Sequence, residues 1–158
     1  MKKVILNLLL VGLGTSVLAQ DAITYQTPPK IMADLLLAKP TPGVSIDSKA
    51  EWILFSDRDP YPSIEELAMP EYKIAGMRIN PNNYSPSRQT YVSSFSLKNI
   101  KTGKTSAVTG LPTTLYAGNV RWNPSETKIA FTQTSQDRID LYVIDVATAK
   151  ATKINKQP

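Results

Sequence analysis

One pattern occurs twice in this chain, and it constrains the fold more than any other feature. Val44, Ile46, Ile53 and Phe55 recur as Val120, Trp122, Ile129 and Phe131, each pair offset by 76 positions. Further on, Asn99-Ile-Lys-Thr-Gly-Lys104 recurs as Asp145-Val-Ala-Thr-Ala-Lys150, offset by 46. A repeat of that size marks stacked supersecondary units, none of which buries its apolar face alone. The second copy alternates short β-branched or aromatic runs with polar turns, at 119–122, 128–131, 141–146 and a last run ending at Ile154. Four strands in about 40 residues is the size of one propeller blade. The first copy opens with runs at 44–46 and 52–55 and resumes at 91–97. The two offsets, 76 and 46, differ by 30, so the first copy carries 30 extra residues between its second and third strands.

The predicted fold is therefore all-β: a partial β-propeller of about two four-stranded blades, with a short N-terminal helix and a helix-containing insertion in the first blade. Blade one is expected over 43–110, with the insertion at 57–89, and blade two over 115–158. A closed propeller has at least four blades, and an open one leaves edges that need cover.

The segment ahead of the blades reads as an address and a leader. Lys2 and Lys3 form a charged start, 4–13 is mainly apolar, and Val17-Leu18-Ala19 places small residues at a cleavage site. Residues 1–19 thus read as a secretory signal peptide cut between Ala19 and Gln20. The apolar run is shorter than the roughly 20 residues of a membrane span, and no membrane association is expected after cleavage. A periplasmic or extracellular protein is expected. Residues 20–42 hold Pro28, Pro29, Pro40 and Pro42. Between the proline pairs, Ile31, Leu35 and Ala38 share a helical face, which predicts one short helix that must lie against something larger.

Composition removes most chemistry. The chain has no cysteine and no histidine. That excludes disulfides, thiolate and imidazole metal sites, and any Ser–His or Cys–His catalytic pair. No cofactor, metal or catalytic residue is expected. The 18 Lys+Arg against 13 Asp+Glu are scattered along the length. Nucleic-acid binding needs a concentrated basic stripe, so no nucleic-acid partner is expected. Asp57 with Asp59, and Asp137 with Asp140 and Asp145, read as turn residues. Asp145 recurs as Asn99 and so serves the turn after the third strand. Trp52 and Trp122 sit in strands and are expected to pack between blades.

The insertion holds the candidate site. Ser63-Ile-Glu-Glu66 is a capping box, which predicts a short helix over 64–69 stopped by Pro70. A polar loop follows, from Pro81 to Ser87. A loop this long on a propeller face is a packing flap or a contact surface. In the second case Arg78 and Arg88 are candidate substrate contacts, as cations for a carboxylate.

Several stretches together resemble the N-terminal region of glutamyl endopeptidases, in the prolyl oligopeptidase family of serine peptidases. They are Pro28-Pro29 with the helix behind it, Pro40-Thr-Pro-Gly-Val-Ser45, Trp52-Ile-Leu-Phe55, and Ile64-Glu-Glu-Leu-Ala-Met-Pro-Glu-Tyr-Lys-Ile-Ala-Gly-Met-Arg-Ile79. The most specific part is 67–80, because no generic blade needs it. The resemblance implies a secreted peptidase in which the propeller admits peptide substrates, excludes folded proteins and stands in cis with a C-terminal α/β-hydrolase domain. It also implies cleavage after Glu or Asp. The family's nucleophile elbow, Gly-x-Ser-x-Gly, is missing: Gly43-Val-Ser45-Ile-Asp47 lacks the second glycine, and Gly14-Thr-Ser16 lies in the signal segment. None of the family's catalytic residues carries over, so the chain is expected to be a non-catalytic piece. Two alternatives stand beside this: a non-enzymatic TolB-like periplasmic propeller that binds protein partners, and a small module that builds a ring from copies of itself.

Overall fold

The computed structural model describes residues 26–155. The signal segment and its cleavage point lie outside the described residues. The predicted leader helix is α1, Lys30–Leu36, with no buried residue. It ends short of Ala38.

Among the described residues ten strands follow, in two four-stranded antiparallel sheets and one ribbon. The first sheet has the order β1-β2-β5-β6 and holds β1 (Gly43–Ile46), β2 (Trp52–Asp57), β5 (Ser94–Asn99) and β6 (Thr105–Ala107). The second has the order β10-β9-β8-β7 and holds β7 (Ala117–Trp122), β8 (Lys128–Thr134), β9 (Ile139–Asp145) and β10 (Lys150–Lys153). The ribbon pairs β3 (Tyr72–Ile74) with β4 (Met77–Ile79). This is the partial propeller the repeat predicts, with the sheets left open.

The repeat holds down to hydrogen-bond register. Ile46 faces Ile53 in blade one, and Trp122 faces Ile129 in blade two, a shift of 76 on both sides. Trp52 faces Asn99 and Lys128 faces Asp145. Lys98 faces Thr105 and Ile144 faces Ala151, a shift of 46. The turns repeat as well. The Asp47 carboxylate accepts the Trp52 amide at 2.9 Å, and the Asn123 side-chain Oδ1 accepts that of Lys128 at 2.9 Å. Asn99 accepts from Thr102, and Asp145 from Thr148, as the recurrence implies. Ala50 and Glu126 share a left-handed backbone, as do Gly103 and Ala149.

Several strands run longer than expected, β2 to Asp57, β8 to Thr134 and β9 from Ile139, and two departures have a visible cause. The run at 91–97 enters the ladder only at Ser94, because Val92 pairs with Ala117 of blade two instead, through bonds of 2.9 and 3.1 Å. Strand β7 bulges between Gly118 and Arg121, where Asn119 has a left-handed φ of 52°. A bulge of this kind bends and twists the strand.

The core lies between the blades. Leu54 and Leu97 face each other on one side of blade one, as do Ile129 and Ile144 on one side of blade two. All four are buried in a single cluster with Phe95 and Phe131. The Phe95 and Phe131 rings meet with centroids 5.1 Å apart, and Phe131 stacks on Tyr142 at 5.4 Å. Trp122 packs on this cluster and donates its indole N–H to Ser45 Oγ at 2.9 Å. The Glu126 carboxylate takes the Ser48 amide and hydroxyl at 2.9 and 2.6 Å, which pins one blade's turn to the next.

The two blades use opposite faces for this contact. By the repeat, Leu54, Phe95 and Leu97 correspond to Ala130, Leu141 and Val143, which lie on the far side of blade two. Ile129 and Phe131 correspond to Ile53 and Phe55, on the far side of blade one beside Val44 and Ile46. Val44 is 58% exposed, Ile46 54% and Leu141 41%. Each blade therefore has a front and a back, and one of each is left uncovered among the described residues.

Candidate functional site

The insertion leaves blade one after β2 and returns at β5. It opens with the predicted capping box. The Glu66 amide donates to Ser63 Oγ at 3.1 Å, and the Ser63 amide donates back to Glu66 Oε2 at 2.9 Å. The helix is α2, Ile64–Ala68, with Met69 as its C-cap rather than its last residue. Pro70 stops it.

The ribbon β3–β4 was not expected from the sequence. Its turn is Ala75-Gly76, both left-handed at 48° and 84°. That geometry suits a two-residue hairpin. One ribbon face carries Tyr72, Ile74, Met77 and Ile79, and Lys73 lies opposite Arg78 on the other.

Arg78 and Arg88 come together, and a carboxylate of this chain already lies between them. Glu71 Oε2 is 2.7 Å from Arg78 Nη1, and Glu71 Oε1 is 2.6 Å from Arg88 Nε. The hydrogen bonds from Arg88 and then Arg78 hold the Glu71 carboxyl below its ordinary value. Arg88 reaches Glu71 from a left-handed backbone at φ 59°, a conformation that costs about 1 kcal/mol or more in a non-glycine residue. Sequence reasoning missed Glu71. The signal for it is an acid at the start of a hairpin, seven residues before a base across the turn.

The polar loop folds on itself. Asn83 Oδ1 accepts the Ser85 amide and hydroxyl, while Asn83 Nδ2 donates to the Ser135 carbonyl of blade two at 2.7 Å. This second missed residue ties the insertion to the neighbouring blade. Between the two lies a cleft of about 660 Å³, with Pro60, Tyr61, Leu67, Met69, Tyr91 and Tyr116 in its walls. The Tyr91 and Tyr116 rings meet edge-on at 5.6 Å.

The acidic sets do not converge. Asp57 accepts the Ser94 hydroxyl, and Asp59 accepts that of Ser93 at 3.3 Å. Asp140 is buried near the start of β9 and bonds Lys153 at 3.0 Å, Asn155 at 3.1 Å and Arg138 at 3.2 Å. Burial pushes the Asp140 carboxyl up, but these partners outweigh it and the net direction is down. Among the described residues no three His, Cys, Asp or Glu are placed to hold a metal, and no helix is long and apolar enough to cross a membrane.

Glu71 and Asp140 set one expected pH dependence. Both carboxyls titrate lower in the fold than in the open chain. Their stabilisation is therefore fully present above the ordinary values of 4.5 and 3.8 and is lost as pH falls through the folded values. Thermal melts should be flat from pH 7 to about 5 and fall steeply below about 4. Asp145 is held low as well, by the Thr148 hydroxyl and amide, so Glu71→Gln with Asp140→Asn should make the acid limb shallower without abolishing it, and an unchanged limb would show that other groups control it.

Comparison with known proteins agrees with the residues. A rice protein (Oryza sativa subsp. japonica) named as a chloroplastic glutamyl endopeptidase is 26% identical over 151 residues, which is 89% of this chain and 16% of that protein. A second of the same name, from Arabidopsis thaliana, is 29% identical over 111 residues, or 68% of this chain and 12% of that protein. The chain is similar to a peptidase-family N-terminal region. It spans about a sixth or less of the length of these curated relatives. No family model matches it. A crystal structure of a dipeptidyl aminopeptidase IV from Bacteroides ovatus ATCC 8483 aligns with 80% of this chain and 19% of its own, at 14% identity and a TM-score of 0.44.

Proposed function

We propose that the chain is the non-catalytic propeller portion of an exported serine peptidase that cleaves peptides after Glu or Asp. In this reading it scaffolds an α/β-hydrolase domain supplied in cis and restricts access to it, so that peptides enter and folded proteins do not. Residues 1–19 serve as the export signal and place the mature protein in the periplasm or outside the cell.

The observation that carries this is the pair of uncovered faces, taken with the relatives' greater length. The contact between blades one and two is a template for the contacts that the open back of blade one and the open front of blade two would make. Further blades of the same repeat would fill both. The similarity to peptidases supplies the chemistry that the missing histidine denies to this chain.

The test is to read the gene beyond the codon for Pro158 and assay the product of its whole frame. Expected are more blades, then Gly-x-Ser-x-Gly and a late histidine, with cleavage of short peptides after Glu and sparing of folded proteins. A frame without that motif, or a product that cuts no peptide, would overturn the proposal in favour of a partner-binding propeller.

A further inference from the structure

We propose that the cleft between the insertion and blade two binds an extended polypeptide segment by a lysine or arginine side chain. The inference rests on the peptide-handling reading above and adds a recognition element to it.

The walls come first. Tyr61, Tyr91 and Tyr116 give aromatic surface to a cleft of about 660 Å³, large enough for a few residues of extended chain. Tyrosine faces attract the stem and charge of a basic side chain, and aromatic grooves suit extended peptides. The two sides of the cleft belong to different parts of the chain. Tyr61 comes from the insertion and Tyr116 from the connection into β7.

Charge decides the ligand. The lining holds three acids, Asp59, Glu66 and Glu71, and one base, Arg88. Counting Arg78, which touches Glu71 from outside the lining, three acids meet two bases and leave a residual charge of −1. That is a local reversal on a chain of formal charge +5. Two of the acids are occupied. Glu66 accepts the Ser63 amide in the capping box, and Glu71 holds both guanidinium groups. Asp59 is exposed, accepts one long bond from Ser93, and has no ion-pair partner among the described residues. An incoming carboxylate would have to displace Glu71 from Arg78 and Arg88 before it met a free cation. An incoming ammonium or guanidinium meets Asp59 directly, with tyrosine at its flank.

The test measures fluorescence anisotropy of two labelled, unstructured peptides that differ only in a central Lys or Glu. The full chain is titrated into each at low salt. The Lys peptide is expected to bind about fivefold tighter or more, the ratio a surface charge pair at contact distance supports. The preference should shrink as salt rises to about 0.5 M. Asp59→Asn should remove most of the preference without moving the thermal melt, and Tyr61→Ala should weaken both peptides. Equal or tighter binding of the Glu peptide overturns the proposal and instead favours exchange at Arg78 and Arg88. Retention of the preference in Asp59→Asn also overturns it. Failure of both peptides to bind removes the cleft as a site, while the blade reading keeps its own test in the paired substitutions Phe131→Ala and Phe55→Ala.

Discussion

Phe131→Ala is expected to cost the chain about 3–5 kcal/mol, while Phe55→Ala, at the same position of the repeat, costs about 1–2 kcal/mol. The two residues occupy equivalent strand positions 76 apart, so residue type and register are matched, although Phe55 faces Ser96 across the ladder where Phe131 faces Tyr142. The larger difference is cover. Phe131 has no exposed surface and meets Phe95 and Tyr142, so its loss opens a cavity at the centre of the inter-blade core. Phe55 is half-buried on the open side of blade one, where water can follow the truncation. Urea unfolding of the two variants measures the difference. In the product of the whole gene the gap is expected to close, because a further blade would bury Phe55 as blade one buries Phe131. A large cost at Phe55 in this chain alone would mean that the back of blade one is already covered, and the propeller reading would lose its main support.

The contrast also shows why the fold was legible and the site less so. A sheet records its register in the sequence through alternation, and a repeat records it twice. Val44 to Phe55 against Val120 to Phe131 therefore specified strands, turns and their pairing before any coordinate. The turn residues were readable for the same reason, since Asn99 and Asp145 do one job at one spacing. The ribbon at 72–79 carries no second copy. Its strands are three residues long, Tyr72, Ile74 and Met77 are exposed, and propensity alone decides little at that length. The Glu71 pair was hidden because Arg78 and Arg88 looked free when read along the chain. A hairpin and a left-handed turn bring them to one carboxylate, and neither shows in local composition. Strand β5 began late for a tertiary reason: Val92 is taken by Ala117 of the next blade. Capping chemistry sits at the other extreme. Ser63 and Glu66 are three residues apart, so the box could be read from spacing alone and is present in full.

Gly110→Ala is expected to cost about 2–4 kcal/mol, several times the cost of Gly103→Ala. Both glycines have left-handed backbones, with φ of 76° and 72°. The conformational penalty common to both is about 1 kcal/mol. At Gly103 nothing lies within 4 Å of an added Cβ. The repeat itself allows alanine there, since Ala149 holds the equivalent place at φ 51°. At Gly110 an added Cβ would stand 2.4 Å from the Ala151 carbonyl oxygen, a backbone atom that cannot swing aside. Thr109 fixes that approach by accepting the Ala151 amide at 2.7 Å and donating its own to Ala149 at 2.9 Å. This short parallel bridge lays the link between the blades along the outer edge of β10, so the clash would pry the link from blade two. Thermal or urea melts of the two single variants measure it. Equal losses near 1 kcal/mol would mean that the link yields and that the packed faces alone hold the blades together.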